Sequence, residues 1–262
     1  FNQPDGEVSD FVNWISKLNA LTVGADRLMI ERIEPQLLCE KRQQQMARVV
    51  ASILARSPSI RHSIKLGIEE FRRQFGLTDP IGDKNMIAAN QRGLYDAYRK
   101  RMEVSGRWAV VFSDEKEFIT GDGFLHNFPA SQDGIIPGKK LVLPILPTAT
   151  IIYMLPTQYP MEPKLVTVRA SADEVTSLNE IVQVYAKDFL FFREEKPELI
   201  DAFKMGQHRI FEYHGDEWLD SLLDDLSQYN LWGPGKSAGM SGQRPYSESL
   251  QGNRWLESFV AP

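Results

Sequence analysis

The residue best suited to chemistry is an aspartate at the end of a β-rich run. Asp122 stands between Gly121 and Gly123, directly after residues 118–120. A carboxylate exposed on such a loop can hold a divalent metal or act as a general base, and the flanking glycines permit a turn with positive φ. The alternative is an Asx-turn, in which the carboxylate only accepts hydrogen bonds from amides of its own loop. His126 follows in the same loop and is the second candidate for acid–base or metal chemistry.

Two arginines form another candidate group. Arg56 and Arg61 flank the break Ser57-Pro58, where one helical pattern stops and the next begins. Guanidinium groups bind phosphate in a bidentate way, and the N-terminus of a helix behind them adds backbone amides. The spacing therefore predicts a phosphate-binding pair. The alternative is structural, with both side chains tying helix ends to buried carboxylates such as Asp122.

The remaining reactive side chains give weaker signals. His208 and His214 would lie about 120° apart around a continuous helix, so a helix would not let them share a metal. Cys39 is the single cysteine, which excludes an internal disulfide and favours a reducing, cytoplasmic compartment. We expect its thiol to be a small buried group within a helix. Phosphate-loop, dinucleotide-binding, zinc and hydrolase motifs are absent from the sequence.

Composition and charge place the chain among ordinary globular proteins. Hydrophobic residues make up 42% of the sequence and charged residues 25%, and its apolar runs are too short for a membrane span. Residues 1–110 carry 17 Lys and Arg against 13 Asp and Glu, whereas the rest of the chain carries 13 against 22. This asymmetry could form a basic face for phosphates, but we favour the interpretation that the two halves attract each other.

Hydrophobic periodicity predicts four long helices, which span residues 36–56, 59–75, 85–103 and 171–192. Strand patterns separate the third helix from the fourth. The runs 108–112 and 117–120 are joined by a polar Ser-Asp-Glu-Lys turn, which is typical of a hairpin. Three further strands are expected at 141–145, 150–155 and 165–169. The loop 121–138 is long, and ordered loops of this length are often functional.

The order of these elements predicts an α+β protein with a single domain over residues 1–232. Helices over 8–104 come first, a small and mostly antiparallel sheet over 107–169 follows, and helices over 171–230 end the domain. Within the last part, 216–226 is expected to be an acidic amphipathic helix with Trp218, Leu222 and Leu226 on its apolar side. Residues 233–262 are predicted to be an extended, glycine- and serine-rich tail. We expect a protein partner to bind through 216–262.

Several short motifs appear in an order that resembles a known family. They are Arg56-Ser-Pro-Ser-Ile-Arg61, Trp108 at the start of a strand, Phe118-Ile-Thr-Gly-Asp122, Leu143-Pro-Ile-Leu-Pro147, and Leu178-Asn179 at a helix. Over residues 45–195 this series resembles the DUF 4238 family, which is largely bacterial. The resemblance implies a fold rather than an activity, because the family brings no established biochemistry.

The positions that match the recurring polar residues of that family are Arg56, Arg61, Asp122 and Asn179. Two departures stand out. The family continues its aspartate with Asn-Pro, whereas Gly-Phe follows Asp122 here. The family's usual opening segment, His-x-x-Pro-x-x-x-Leu-x-x-Phe, is not found in this sequence. Recurring polar residues suit a functional site, but a structural hydrogen-bond network would explain them equally well.

Three functions remain open at this point. The first is an interaction or regulatory protein of the bacterial cytoplasm, including a defence-related role. The second is a hydrolase of nucleic acid or another phosphoester, in which Asp122 and His126 act with a divalent metal while Arg56 and Arg61 bind phosphate. The third is a sensor that binds a small ligand at the same loop without turnover. The first is our leading hypothesis.

Overall fold

The structure is a computed structural model, and it describes residues 2–22, 29–77, 83–128, 140–155 and 163–209. Its first half is helical, with α1 (Asn2–Ile15), α2 (Met29–Arg32), α3 (Glu40–Ala55), α4 (Pro58–Phe75) and α5 (Asp83–Val104), and a short strand β1 (Glu34–Gln36) precedes α3. The strands β2 (Arg107–Phe112), β3 (Thr120–Gly121), β4 (Lys140–Leu146), β5 (Ala149–Met154) and β6 (Leu165–Arg169) follow. The described chain ends with α6 (Ala172–Tyr185), β7 (Leu190–Phe191) and α7 (Asp201–Lys204). The predicted α+β class is confirmed.

The main sheet has five strands in the order β1-β6-β2-β5-β4, and β3 and β7 form a separate two-stranded sheet. Within the main sheet β2 runs parallel to β6, while the other neighbours are antiparallel. The sheet is therefore mixed but mostly antiparallel, as the sequence predicts. No helix in the described ranges is both long and apolar enough to cross a bilayer.

Helices cover both faces of the sheet. Side chains alternate along each strand, so Trp108 and Val110 of β2 pack with α1, α3, α4 and α5, whereas Ala109 and Val111 pack with α6. All four side chains are buried. A sheet covered on both faces has strands that are apolar throughout, which explains the continuous apolar runs in the sequence.

Local signals define several helix ends. The Ser57 hydroxyl accepts a hydrogen bond from the Ile60 amide at the start of α4, and Gly76 closes that helix with φ of 64°. Ser171 and Glu174 form a reciprocal capping box at the start of α6. Cys39 differs from the expectation, because it is exposed and lies at the residue before α3 rather than inside a helix.

The predicted hairpin of 108–112 with 117–120 is wrong. β2 pairs with β5 and β6 instead, and the following segment leaves the main sheet. The Phe118 amide donates to the carbonyl of Pro147, and Thr120 pairs with Phe191 of β7. The polar residues 113–116 do follow β2, but the segment after them is bound by α6 and β7 and not by β2.

Candidate functional site

The loop that contains Asp122 lies directly against the C-terminal end of α6. A Cβ atom added to Gly121 would stand 2.7 Å from the Ala186 Cβ, and one added to Gly123 would stand 2.0 Å from the Tyr185 carbonyl oxygen. Neither glycine has positive φ; in the described ranges, only Gly76, Gly106 and Gly206 do. The expected reason for these glycines is therefore wrong, because they are needed for close approach and not for a left-handed turn.

The Asp122 carboxylate joins this loop to the segment after α6. Its Oδ1 accepts hydrogen bonds from the backbone amides of Lys187 at 2.7 Å and Asp188 at 3.3 Å, and its Oδ2 accepts from the Asp188 amide at 3.1 Å. The Asp122 amide donates to the Phe189 carbonyl at 3.1 Å. Both carboxylate oxygens are thus bound to amides, and those amides belong to a second segment rather than to the loop of Asp122 itself.

The segment held in this way presents three phenylalanines. Thr120 pairs with Phe191 and Gly121 with Leu190 in the sheet of β3 and β7. The relative exposure is 62% for Phe189, 59% for Phe191 and 45% for Phe192. These aromatic rings therefore stand in solvent on a backbone that is fixed by strand pairing and by Asp122. We call residues 189–192 the aromatic segment.

Asn179 of α6 holds the chain that leads into the Asp122 loop. Its Nδ2 donates to the Glu117 carbonyl at 2.8 Å, and its Oδ1 accepts from the Ile119 amide at 3.0 Å. Phe118 lies between these two contacts and is buried. One side-chain amide thus satisfies both backbone groups of a buried extended segment. This arrangement is a structural hydrogen-bond network.

Gln183, one helical turn further along α6, repeats the arrangement on another segment. Its Nε2 donates to the Glu198 carbonyl at 2.9 Å, and its Oε1 accepts from the Ile200 amide at 3.0 Å. A cleft of about 720 Å³ opens beside α6 between the two held segments. Its walls carry charges of both signs, including Lys116 and Glu180.

The aromatic segment and the cleft are linked through Glu117. The Glu117 carboxylate accepts a hydrogen bond from the Glu194 amide at 3.1 Å and forms an ion pair with the Arg193 guanidinium at 2.6 Å. That amide, together with the guanidinium, holds the pKa of Glu117 below its usual value. The chain on both sides of 189–192 is therefore anchored, at Asp122 on one side and at Glu117 on the other.

The structure places His126 in the core. The residue is fully buried, forms an isolated antiparallel β-bridge with Leu141 of β4, and packs its ring against Phe124 with 5.6 Å between centroids. Asp122, in contrast, is partly exposed and bound to amides. Within the described part of the chain, no three His, Cys, Asp or Glu side chains form a group that could hold a metal.

Arg56 and Arg61 keep their predicted position around a helix break. Arg56 closes α3: its amide donates to the Ile53 carbonyl, and the Ser57 amide donates to the Leu54 carbonyl. The Arg61 amide donates to the Ser57 carbonyl in the first turn of α4. Both side chains are exposed. They belong to the helical layer on one face of the sheet, whereas Asp122 contacts the end of α6, which packs on the other face.

His208 is described and partly exposed; His214 and residues 216–262 lie outside the described residues.

A substitution separates a structural from a catalytic role for Asp122. Asp122→Ala removes the acceptor of two backbone amides, so we expect a loss of about 1–3 kcal/mol in the free energy of unfolding. The measurement is a thermal-shift series without ligand and with Mg²⁺, Mn²⁺, nucleotides and short RNA or DNA. We expect the variant to melt earlier by a similar amount in every condition.

The matched control is Asp188→Ala, which removes a neighbouring exposed carboxylate and keeps the amide that Asp122 binds. We expect the free energy of unfolding of this variant to lie within about 0.5 kcal/mol of the wild-type value, as is usual for surface positions. Metal- or nucleotide-dependent stabilisation of the wild type that Asp122→Ala loses would contradict the structural role. It would support the hydrolase or the sensor instead, because a ligand of the folded state raises the midpoint.

Comparison with known proteins gives no relative. No model of a known protein family matches the chain, no curated protein matches it significantly, and neither does any solved structure. The resemblance to the DUF 4238 family therefore stays a prediction that is based on short motifs.

Proposed function

We propose that the protein is an interaction protein that binds a protein partner through its aromatic segment. The observation that carries this proposal is the exposure of Phe189, Phe191 and Phe192 at 62%, 59% and 45% on a fixed backbone. Aromatic side chains dominate the energetics of protein interfaces. Large exposed apolar patches mark interaction sites, and three exposed rings within four residues are the candidate for such a patch here.

The anchoring of the segment supports the same proposal. An interface pays for side chains and loops that become ordered on binding. Here the two contacts of Asp122 with the Lys187 and Asp188 amides, and the pairing of β7 with β3, order the backbone before a partner arrives. In this proposal the Asp122 loop supports a binding surface. The close packing of the loop on α6 holds that support in place.

The charges around the segment favour a protein over a nucleic acid. Lys187 and Asp188 precede it and Arg193 and Glu194 follow it, so each side carries one cation and one anion. Nucleic-acid binding needs an excess of cations to displace counterions from phosphates. An apolar centre with a polar rim of both signs is typical of a protein–protein interface. The cytoplasm of a bacterial cell, including a defence-related setting, is the place we propose for this partner.

The two other functions receive less support from the geometry. In the hydrolase, Asp122 would hold a metal, but its oxygens already accept hydrogen bonds from the Lys187 and Asp188 amides, and among the described residues no three His, Cys, Asp or Glu side chains form a group that could hold a metal. The sensor has one observation in its favour, the cleft of about 720 Å³ beside α6, whose size lies within the range of ligand sites. That cleft has mostly charged walls rather than the apolar lining of most such sites, so we rank the sensor second.

A pair of double variants tests the proposal. Phe189→Ser with Phe191→Ser removes two exposed rings and leaves Asp122, β3 and the core unchanged. We expect its affinity for the partner to fall by at least tenfold, since a hot-spot residue of an interface contributes about 2 kcal/mol or more and ~1.4 kcal/mol corresponds to a factor of ten. The measurement is quantitative co-purification from source cells, followed by the Kd of the recovered partner. Its thermal midpoint should stay close to that of the wild type.

The control is Phe71→Ser with Phe75→Ser on α4. These rings are exposed to a similar degree, 46% and 64%, and contact each other with 4.6 Å between centroids, but they lie in another layer of the fold. The control should keep the partner. Retention of the same proteins at the same Kd by both double variants would refute a binding role for the aromatic segment.

A further inference from the structure

The cleft beside α6 has walls that are fixed before any ligand enters. One side is a single face of α6, since positions three and four apart share a face of a helix, and it consists of residues 176, 179, 180 and 183. Most of the other lining residues belong to the segments 116–119 and 195–201. Asn179 binds the first segment through both polar atoms of its side chain, and Gln183 binds the second in the same way. Four hydrogen bonds therefore hold the walls in place.

Most of the charges in the lining are balanced by a neighbour of opposite sign. The balanced charges form three pairs, namely Glu117 with Arg193, Asp201 with Lys204, and the sequence neighbours Glu195 and Lys196. Lys116, Glu180 and Glu198 remain. In the described part of the chain, none of these three side chains forms an ion pair. The cleft therefore offers one ammonium and two carboxylates that have no charged partner among the described residues.

The unbalanced charges follow an order along α6. The Lys116 Nζ donates to the Thr176 hydroxyl at 2.8 Å, which places the ammonium near one end of the lining face. The Glu198 carbonyl accepts from the Gln183 side chain at 2.9 Å, seven residues further along the helix. At 1.5 Å per residue, these two positions of α6 are about 10 Å apart. Glu180 comes between them, so the cation stands at one end of the cleft and the carboxylates follow towards the other.

We propose that this cleft binds a short peptide with two free termini, which is a zwitterion. The carboxylate of the peptide pairs with Lys116, and its ammonium pairs with Glu180 and Glu198. Three extended residues span about 10 Å, so a tripeptide matches the spacing of these charges. The volume of the cleft, about 720 Å³, lies within the range of small-ligand sites.

The lining disfavours two simpler ligands. A ligand with a single charge would leave either Lys116 or the two glutamates without a partner. An internal segment of a long chain has no charged termini, so it makes neither contact. The apolar lining residues Ile119 and Leu199 provide contacts for small aliphatic side chains. The site is distinct from the aromatic segment, and the inference does not depend on the proposed partner protein.

Titration of trialanine into the isotope-labelled full chain, followed by NMR, tests this inference. We expect trialanine with free termini to shift the amide resonances of Ile119 and Ile200, since both residues line the cleft. Acetylation of its N-terminus or amidation of its C-terminus removes one ion pair. Each modification should raise the Kd about fivefold, which corresponds to ~1 kcal/mol and is the upper range for a solvent-exposed pair.

Charge variants of the cleft identify the contacts. Glu180→Gln with Glu198→Gln should bind the free and the acetylated peptide with equal Kd, because the carboxylates that attract the terminal ammonium are gone. Lys116→Met should bind the free and the amidated peptide with equal Kd and should still bind the acetylated one more weakly. A purely structural effect of either variant would weaken the binding of all three peptides alike.

The control is Glu115→Gln with Asp173→Asn, which removes two exposed carboxylates outside the lining of the cleft. It changes the net charge as much as the glutamate double variant does, and it should keep the wild-type Kd values. No shift of the two amides at millimolar trialanine, equal Kd values for the three peptides on the wild type, or an equal loss in the control would each overturn the inference. None of these results depends on Phe189 or Phe191, so the two proposals can fail separately.

Discussion

Gly106→Ala is expected to lower the free energy of unfolding by about 3 kcal/mol or more, from two causes that add. Gly106 has φ of 86°, a conformation that costs an L-residue about 1–2 kcal/mol. An added Cβ would also stand 2.3 Å from the Tyr153 Oη and 2.4 Å from two of its ring carbons. Overpacking of a filled core costs a further ~1–3 kcal/mol.

The Tyr153 ring cannot move aside to make room. It is fully buried, donates its hydroxyl hydrogen bond to the Ser105 carbonyl at 3.1 Å, and lies against Trp108 with 4.7 Å between ring centroids. Burial raises the pKa of its phenol well above the usual value. The chain therefore passes from α5 into β2 at Gly106 in close contact with this ring, and the contact leaves no room for a Cβ atom.

Urea-induced unfolding of Gly106→Ala and Gly67→Ala measures the effect. Gly67 lies within α4, and a Cβ added there meets no atom within 4 Å. Alanine at this site should stabilise the protein by about 0.5–1 kcal/mol, because glycine is a poor helix former. The same residue change thus has opposite signs at two glycines. A Gly106→Ala midpoint equal to that of the wild type would show that Tyr153 is not packed as described.

Glu174→Gln is expected to cost about 3–5 kcal/mol, because it leaves a buried guanidinium without its counter-ion. The Arg32 side chain is 5% exposed and that of Glu174 16%. Two hydrogen bonds join them, from Nη1 to Oε2 at 2.9 Å and from Nη2 to Oε1 at 2.6 Å. Arg32 also donates to the Arg169 carbonyl, and the Ser171 amide donates to Glu174. The ion pair therefore joins the end of α2 to the end of β6 and to the first turn of α6.

The pH dependence of this stabilisation has a defined sign. Burial alone would raise the pKa of Glu174, but the hydrogen bonds from Arg32 and from the Ser171 amide outweigh it and hold the pKa below its usual value of 4.5. Between the lowered folded pKa and the ordinary unfolded one, the unfolded state binds more protons, so stability rises with pH. The contribution is complete above pH ~4.5 and is lost as the pH falls through the folded pKa.

Denaturant titrations of wild type and Glu174→Gln over this pH range provide the test. The difference between the two should be largest near neutral pH and should shrink in acid. The control is Glu103→Gln, which removes the partner of Arg99 in a pair one helical turn apart; pairs of this kind contribute about 0.2–0.5 kcal/mol. Equal losses in the two variants would contradict a special contribution from the buried pair.

The long helices of this fold can be predicted from the sequence, because their signals are local. The stripe over 59–75, the Ser57-Pro58 break and the closing Gly76 define α4 to within a residue. The predicted helix over 171–192 is too long, since α6 ends at Tyr185. Its apolar pattern continues into the aromatic segment, but there the Asp122 carboxylate binds the Lys187 and Asp188 amides, and the chain turns away from the helix.

The strands that the sequence misses depend on partners far along the chain. β1 is three residues long and contains Pro35, so no local pattern predicts it, and its partner β6 lies far along the chain, with Pro35 opposite Val166. The contacts of the candidate site also join residues that are far apart in the sequence. Asp122 stands out as a polar residue between glycines, but its amide partners lie 65 and 66 positions later. Periodicity can indicate that such a residue is special without indicating what it contacts.

The register of the main sheet also sets when the chain can fold during its synthesis. β6 lies between β1 and β2, so β1 has no strand partner, and β2 has only β5, until residues 165–169 have left the ribosome. The helices α1, α3 and α5 are made long before, and their apolar sides need the finished sheet. Contacts of such long range form slowly and leave apolar surface open in the meantime. A nascent chain that stops before residue 165 therefore carries helices around an incomplete sheet, which is the form that a chaperone of new chains would meet.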